Sequence, residues 1–132
     1  MWPVRILVRG SAGHLGEALV RKLGDQGHHV AGLDIEPSPW TTHVASVTDR
    51  TLLQQALVGI DAVVHTAALH KSVKRQCVRI ACGVEESAAA GVGRVVFSSS
   101  TTTFDGAMTP PAGGPASWIT ESVVPETRIF SA

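Results

Sequence analysis

Apolar residues along this chain fall in short dense runs, and between the runs they recur at helical spacing. Val4-Arg5-Ile6-Leu7-Val8 is a β-branched-rich run that stops at Gly10, as a buried parallel strand does. From His14 to Gln26 the apolar positions Leu15, Ala18, Leu19 and Leu23 follow a helical period, and Gly24 and Gly27 punctuate the end. His29-Val30-Ala31-Gly32-Leu33 predicts a second strand closed by Asp34. After the turn at Pro37-Ser38-Pro39, His43 to Val47 predicts a weak third. Asp49 stands as an N-cap for a helix over Thr51 to Leu57. Asp61 to Thr66 predicts a fourth strand, Val73 to Ala90 a helix, and Arg94 to Ser98 a fifth strand.

Strands alternating with helices predict an α/β fold, a Rossmann-like doubly wound parallel sheet of five strands in the order 3-2-1-4-5. The strand built on Val95-Val96-Phe97 is then an edge, and an uncovered apolar edge favours self-association. Residues 1–104 form the expected dinucleotide-binding domain. Residues 105–132, rich in Pro and Gly, read as an irregular tail of that same domain.

Composition narrows the function classes. The 132 residues carry 11 basic and 11 acidic side chains, and this balance argues against a nucleic-acid partner. No apolar run approaches the ~20 residues of a membrane span, and the start of the chain does not read as a signal peptide. Cys77 and Cys82 are too few for a disulfide scaffold, so the expected location is the cytoplasm. Six histidines show no ligand spacing, and no metal site is expected. His70, Lys71, Lys74, Arg75 and Arg79 read as a solvated helical face.

The chemistry concentrates at Gly10-Ser11-Ala12-Gly13-His14-Leu15-Gly16, a G-x-x-G-x-x-G sequence between a strand and a helix. The first glycine allows a tight turn, the second lets backbone approach a pyrophosphate, and the third brings helix and strand together. The N–H groups at the start of the new helix then face the phosphates. Asp34 ends the next strand 18 residues after Gly16, near the ~20 expected of an acid that holds the adenosine ribose hydroxyls. A carboxylate there repels a 2′-phosphate, so the expected cofactor is NAD and not NADP. Gly10, Ala12, Gly13, His14, Leu15, Gly16 and Asp34 are the candidate cofactor-binding residues of this loop and strand.

Beyond the loop, three segments in order make the chain resemble the extended short-chain dehydrogenase/reductases, the NAD-dependent epimerase/dehydratase family that includes UDP-glucose 4-epimerases. Val47-Thr48-Asp49 is similar to the family segment whose Asp contacts the adenine. Asp61-Ala62-Val63-Val64-His65-Thr66-Ala67-Ala68 is similar to the fourth strand and the small-residue turn beneath the cofactor. Val95-Val96-Phe97-Ser98-Ser99-Ser100 is similar to the fifth strand, which ends in the active-site serine. The resemblance implies cofactor contacts at Asp49, Thr66, Ala67, Ala68 and Ser98. It implies Ser100 as the catalytic serine, with Ser99 or Thr101 as alternative registers.

In that family Ser or Thr, Tyr and Lys form the catalytic set: Tyr exchanges the proton of the sugar hydroxyl, and Lys lowers its pKa. This chain has Phe130 near the Tyr position and no tyrosine at all. The implied function is hydride transfer, with NAD, on a nucleotide sugar or related hydroxyl or carbonyl small molecule. The alternative is a catalytically inactive dinucleotide-binding fragment or module.

Overall fold

The computed structural model of the chain describes residues 2–67, 82–98, 112–115 and 120–123. The chain divides into two compact units, Met1–Ser98 and Ser99–Ala132. The first unit runs β1 (Arg5–Arg9), α1 (His14–Asp25), β2 (His29–Asp34), β3 (His43–Val44), α2 (Arg50–Ala56), β4 (Ala62–His65), α3 (residues 82–89) and β5 (Arg94–Phe97). The described residues of the second unit form turns, one closed by the Val123 N–H donating to the Thr120 carbonyl at 3.1 Å.

The five strands are parallel and ordered β3-β2-β1-β4-β5, as the alternation of strands and helices predicts. Parallel pairing puts neighbouring side chains on one face. Leu7 therefore stands beside Val63, and Leu33 beside Arg9. Leu7, Leu33 and Val63 are fully buried against Leu53, Ala56 and Leu57 from and just after α2 and Cys82 from α3. Each such aliphatic side chain contributes about 1.5–3 kcal/mol on burial. The opposite face carries Ile6 and Val8, against which α1 lies. Leu19, Val20 and Leu23 of α1 are half-buried, and Gly16 is its one buried residue.

Two elements differ from expectation. β3 covers only His43–Val44, where a strand to Val47 was expected. β2 ends at Asp34, so after the Ala45 N–H donates to the Asp34 carbonyl at 2.8 Å there is no strand left to pair with. Val47 turns inward to the core instead. Of the helix expected over Val73 to Ala90, residues 82–89 are helical, and its first part lies outside the described residues. The Asp49 cap is as expected: its Oδ1 accepts the Leu52 N–H at 3.1 Å. Among the described residues β5 is an edge, with Val95, Val96 and Phe97 each at least 40% exposed. Among the described residues no helix is long and apolar enough to cross a membrane.

α1 approaches the end of β1 closely enough to leave no room for a side chain. A Cβ on Gly16 would overlap the carbonyl oxygen of Gly10, whereas a Cβ on Gly24, in the same helix, meets nothing within 4 Å. Two alanine variants should therefore move in opposite directions under chemical denaturation. Gly24→Ala should gain about 0.5–1 kcal/mol from the helical propensity of alanine, and Gly16→Ala should lose roughly 3 kcal/mol or more. Equal effects would mean that helix propensity alone sets both.

Candidate functional site at the carboxyl ends of the strands

β1 and β4 are neighbours in the sheet, and α1, which follows β1, lies on the face opposite to α3, the next described element after β4. The carboxyl ends of a parallel sheet open a crevice at such a switch point. Gly10 makes the turn out of β1 at φ +93°, a backbone conformation that L side chains resist, and a Cβ there would stand 2.6 Å from the Ala67 nitrogen. The Gly10 N–H donates to the Leu33 carbonyl at 2.8 Å, and the Gly13 N–H to the Gly10 carbonyl at 3.1 Å. From the far side, the Thr66 N–H and hydroxyl both donate to the Arg9 carbonyl, at 2.8 and 2.9 Å. The ends of β1, β2 and β4 are thereby tied to one another.

The segment after β2 holds the loop from its other flank. The buried Ser11 hydroxyl lies 3.0 Å from that of Thr41, which is in turn 2.9 Å from the Ser38 hydroxyl and donates to the Glu36 carbonyl at 3.2 Å. Arg21 of α1 covers the ring of Trp40 at 5.6 Å. Gly32 is pressed between this segment and Ser11, since a Cβ there would overlap the Trp40 carbonyl.

What the loop leaves open is a row of donors. Gly13 is the N-cap of α1 and supplies no side-chain acceptor, and the first intrahelical bond is from the Glu17 N–H to the Gly13 carbonyl. The N–H groups of His14, Leu15 and Gly16 thus stand without backbone acceptors at the positive end of the helix dipole. A Cβ built on Gly13 meets only the Gly10 carbonyl oxygen, at 3.3 Å, so a ligand can come close to this backbone. This arrangement suits an anion with several oxygens.

Asp34 stands at the end of β2 beside the loop. Its Oδ2 accepts the Ala12 N–H and its Oδ1 the Glu36 N–H, each at 3.0 Å. A carboxylate has about four acceptor positions, so each oxygen retains one for a further donor. Asp49 caps α2 through Oδ1. Ala67 packs against the core cluster, and the Ser98 N–H continues the ladder onto the His65 carbonyl at 3.0 Å. His14 and Leu15 are exposed on the first turn of α1. Ala68, Ser99, Ser100, Thr101 and the basic cluster 70–79 lie outside the described residues. Among the described residues no group of three or more His, Cys, Asp or Glu could hold a metal ion.

Two residues beneath the crevice were not singled out by sequence. Arg9 and His65 are partners in register on β1 and β4, 2% and 3% exposed. His65 stacks on Phe97 with ring centroids 5.4 Å apart, and its Nδ1 has no hydrogen-bond partner. Burial first, then the positive charge of Arg9, lowers its pKa to about 4, against a smaller opposing effect of the Ala67 backbone. The signal in the sequence was an Arg and a His at the inward positions of otherwise apolar strands.

The model of the NAD dependent epimerase/dehydratase family matches residues 6–123. The chain belongs to that family. The chain is similar to a 3-beta-hydroxysteroid dehydrogenase of Mycolicibacterium neoaurum, 38% identical over 71 residues, which cover 49% of this chain and 19% of that one. In structure it is similar to a short-chain dehydrogenase/reductase superfamily protein of Agrobacterium tumefaciens with bound NAD (31% identity, TM-score 0.70, 93% of this chain and 40% of that one). It is also similar to MoeE5 in complex with UDP-glucose and NAD (26% identity, TM-score 0.71, 92% and 42%). The chain spans less than a third of the length of the curated relatives it matches.

The buried neutral imidazole has a pH signature. The folded state keeps His65 unprotonated down to about pH 4, while the unfolded chain takes up that proton near 6.5. The unfolded state thus binds more protons between these values, so stability falls as pH drops from 6.5 to 4, by about 3 kcal/mol for this group. Denaturation midpoints at pH 7 and pH 4.5 should show the loss in the unmodified chain and a smaller one in His65→Leu. An unchanged slope in His65→Leu would place the titrating group elsewhere.

Proposed function

We propose that this chain binds NAD across the carboxyl ends of β1, β2 and β4, as the cofactor-binding part of an epimerase/dehydratase-type oxidoreductase. The observation that carries the reading is the unpartnered first turn of α1, brought by Gly10 and Gly16 to the end of β1 with the carboxylate of Asp34 beside it. The N–H groups of His14, Leu15 and Gly16 hold the pyrophosphate, with Ala12 and Gly13 giving it room. The free acceptor positions of Asp34 take the adenosine ribose hydroxyls. Asp49 flanks the adenine, and Thr66, Ala67, Ala68 and Ser98 line the path toward the nicotinamide. Bound NAD supplies a hydride acceptor. Ser100 holds the reacting oxygen of the substrate by a hydrogen bond, and Ser99 and Thr101 are the neighbouring hydroxyls able to serve.

The proposed substrate is a small molecule with a secondary hydroxyl or carbonyl, of the nucleotide-sugar class. Support comes from the UDP-glucose held by MoeE5. A second reading, a dinucleotide-binding module without turnover of its own, is favoured by one observation: the 132 residues contain no tyrosine. General acid–base help of the kind such a residue gives is worth ~100- to 10,000-fold.

Calorimetric titration with NAD and with NADP tests the binding reading. The unmodified chain should prefer NAD, and Asp34→Ala should weaken NAD by about tenfold, the cost of charge-assisted hydrogen bonds, while relaxing the bias against NADP. Equal affinity of the unmodified chain for both dinucleotides would remove the role given to Asp34. Assays of the same sample with UDP-glucose and with a 3β-hydroxysteroid separate the two functional readings. Turnover of the sugar abolished by Ser100→Ala supports the enzyme, and binding without turnover of either supports the module.

A further inference from the structure

Arg9 is not used by the site just described, although it ends β1 one residue before Gly10. Its side chain is buried on the face it shares with Leu7 and His65. Nη2 donates to the Val47 carbonyl at 3.4 Å, and the guanidinium lies so close to Gly83 of α3 that a Cβ there would overlap it. Nε is buried with no acceptor. Desolvation lowers its pKa, and the Cys82 thiol is the group that partly offsets this.

A buried guanidinium is costly unless an anion answers it. Among the described residues no carboxylate bonds to Arg9. Glu86, buried on α3, is occupied by Gln54 Nε2 at 2.9 Å and lies 3.7 Å from Arg50 Nη1. Both oxygens of Asp34 accept backbone N–H groups. A thiol is only a weak acceptor, and His65, kept neutral, offers no negative charge. If Arg9 were present only to fill space, an apolar side chain of similar length would fill it without the desolvation cost. The anion site proposed above is carried by the glycine loop, which begins at the next residue of the chain, while the guanidinium itself is turned to the α2 and α3 face.

We propose that Arg9 is a buried counter-charge for the pyrophosphate of the bound dinucleotide, a positioning residue that acts through the low-dielectric end of β1 without touching the ligand. The proposal rests on the NAD-binding reading above and adds to it the residue that couples the charge of the ligand to the core. Its consequence is asymmetric: among the described residues no anion answers the charge in the unliganded fold, and a bound diphosphate does.

The test compares the unmodified chain, Arg9→Met and Arg9→Lys for their affinities for NAD, ADP and adenosine and for their unliganded melting temperatures. Arg9→Met should weaken NAD and ADP about tenfold, the effect of one unit charge roughly 12 Å away at an effective dielectric near 20, and leave adenosine unchanged. Its unliganded melting temperature should equal or exceed that of the unmodified chain. Arg9→Lys keeps the charge and should stay within a few-fold of the unmodified affinity for all three ligands.

Unchanged NAD and ADP affinity in Arg9→Met would overturn the counter-charge while leaving the binding reading intact. Equal loss of all three ligands would also overturn it, because it would show a role in the shape of the pocket. Should Arg9→Met fail to fold, the counter-charge still predicts near-normal diphosphate affinity in Arg9→Lys, and a tenfold loss there contradicts it. If the unmodified chain binds neither NAD nor ADP, the binding reading itself fails and the counter-charge falls with it.

Discussion

The end of β1 is where this fold allows least freedom, and most of what the site can do follows from that. α1 can begin where it does only because Gly16 brings no Cβ against the Gly10 carbonyl, and Gly10 can turn only because it accepts φ +93°. With those two positions fixed, α1 points its unpaired N–H groups over the crevice between β1 and β4. The hydrogen bonds from Gly10 to Leu33 and from Thr66 to Arg9 then hold β2 and β4 to the same junction. Displacing the loop would break a contact that holds α1 against β1 as well as the row of free N–H groups.

The polar groups around the junction are also structural. Asp34 anchors the loop by accepting from Ala12, Asp49 caps α2, and Thr66 binds the end of β1. A preorganised site gains from this economy, since groups already fixed by backbone bonds lose little freedom when a ligand arrives. Arg9 and His65 are the exceptions, each with a buried nitrogen that lacks a partner. Unsatisfied buried polar atoms are rare in folded proteins and call for a reason. Here both lie directly beneath the crevice, on the α2 and α3 face.

Much of this was legible in the sequence because the dominant signals are local. The dense run Ile6-Leu7-Val8, the helical spacing after His14 and the closing Asp34 each follow from short-range patterning, and the sheet order follows from the handedness of parallel crossovers. β3 is shorter than the pattern from His43 to Val47 predicts because its length depends on where β2 stops, which is a pairing fact and not a property of those residues. The burial of Arg9 and His65 is not legible in the sequence for a related reason. A charged residue at the end of an apolar run reads as the edge of a strand meeting solvent, and only the stacking of α3 on that face shows it buried. Asp49 was placed correctly as a cap by its neighbours alone, since capping needs only the next three residues.

The central claim is that the first turn of α1 is an anion site set by the junction at β1. Amide hydrogen exchange measured with and without saturating NAD tests it most directly. The account predicts slowed exchange at His14, Leu15 and Gly16, the N–H groups that lack acceptors in the unliganded fold. Unchanged exchange at these three amides, at an NAD concentration where calorimetry shows full binding, would contradict it and place the dinucleotide elsewhere.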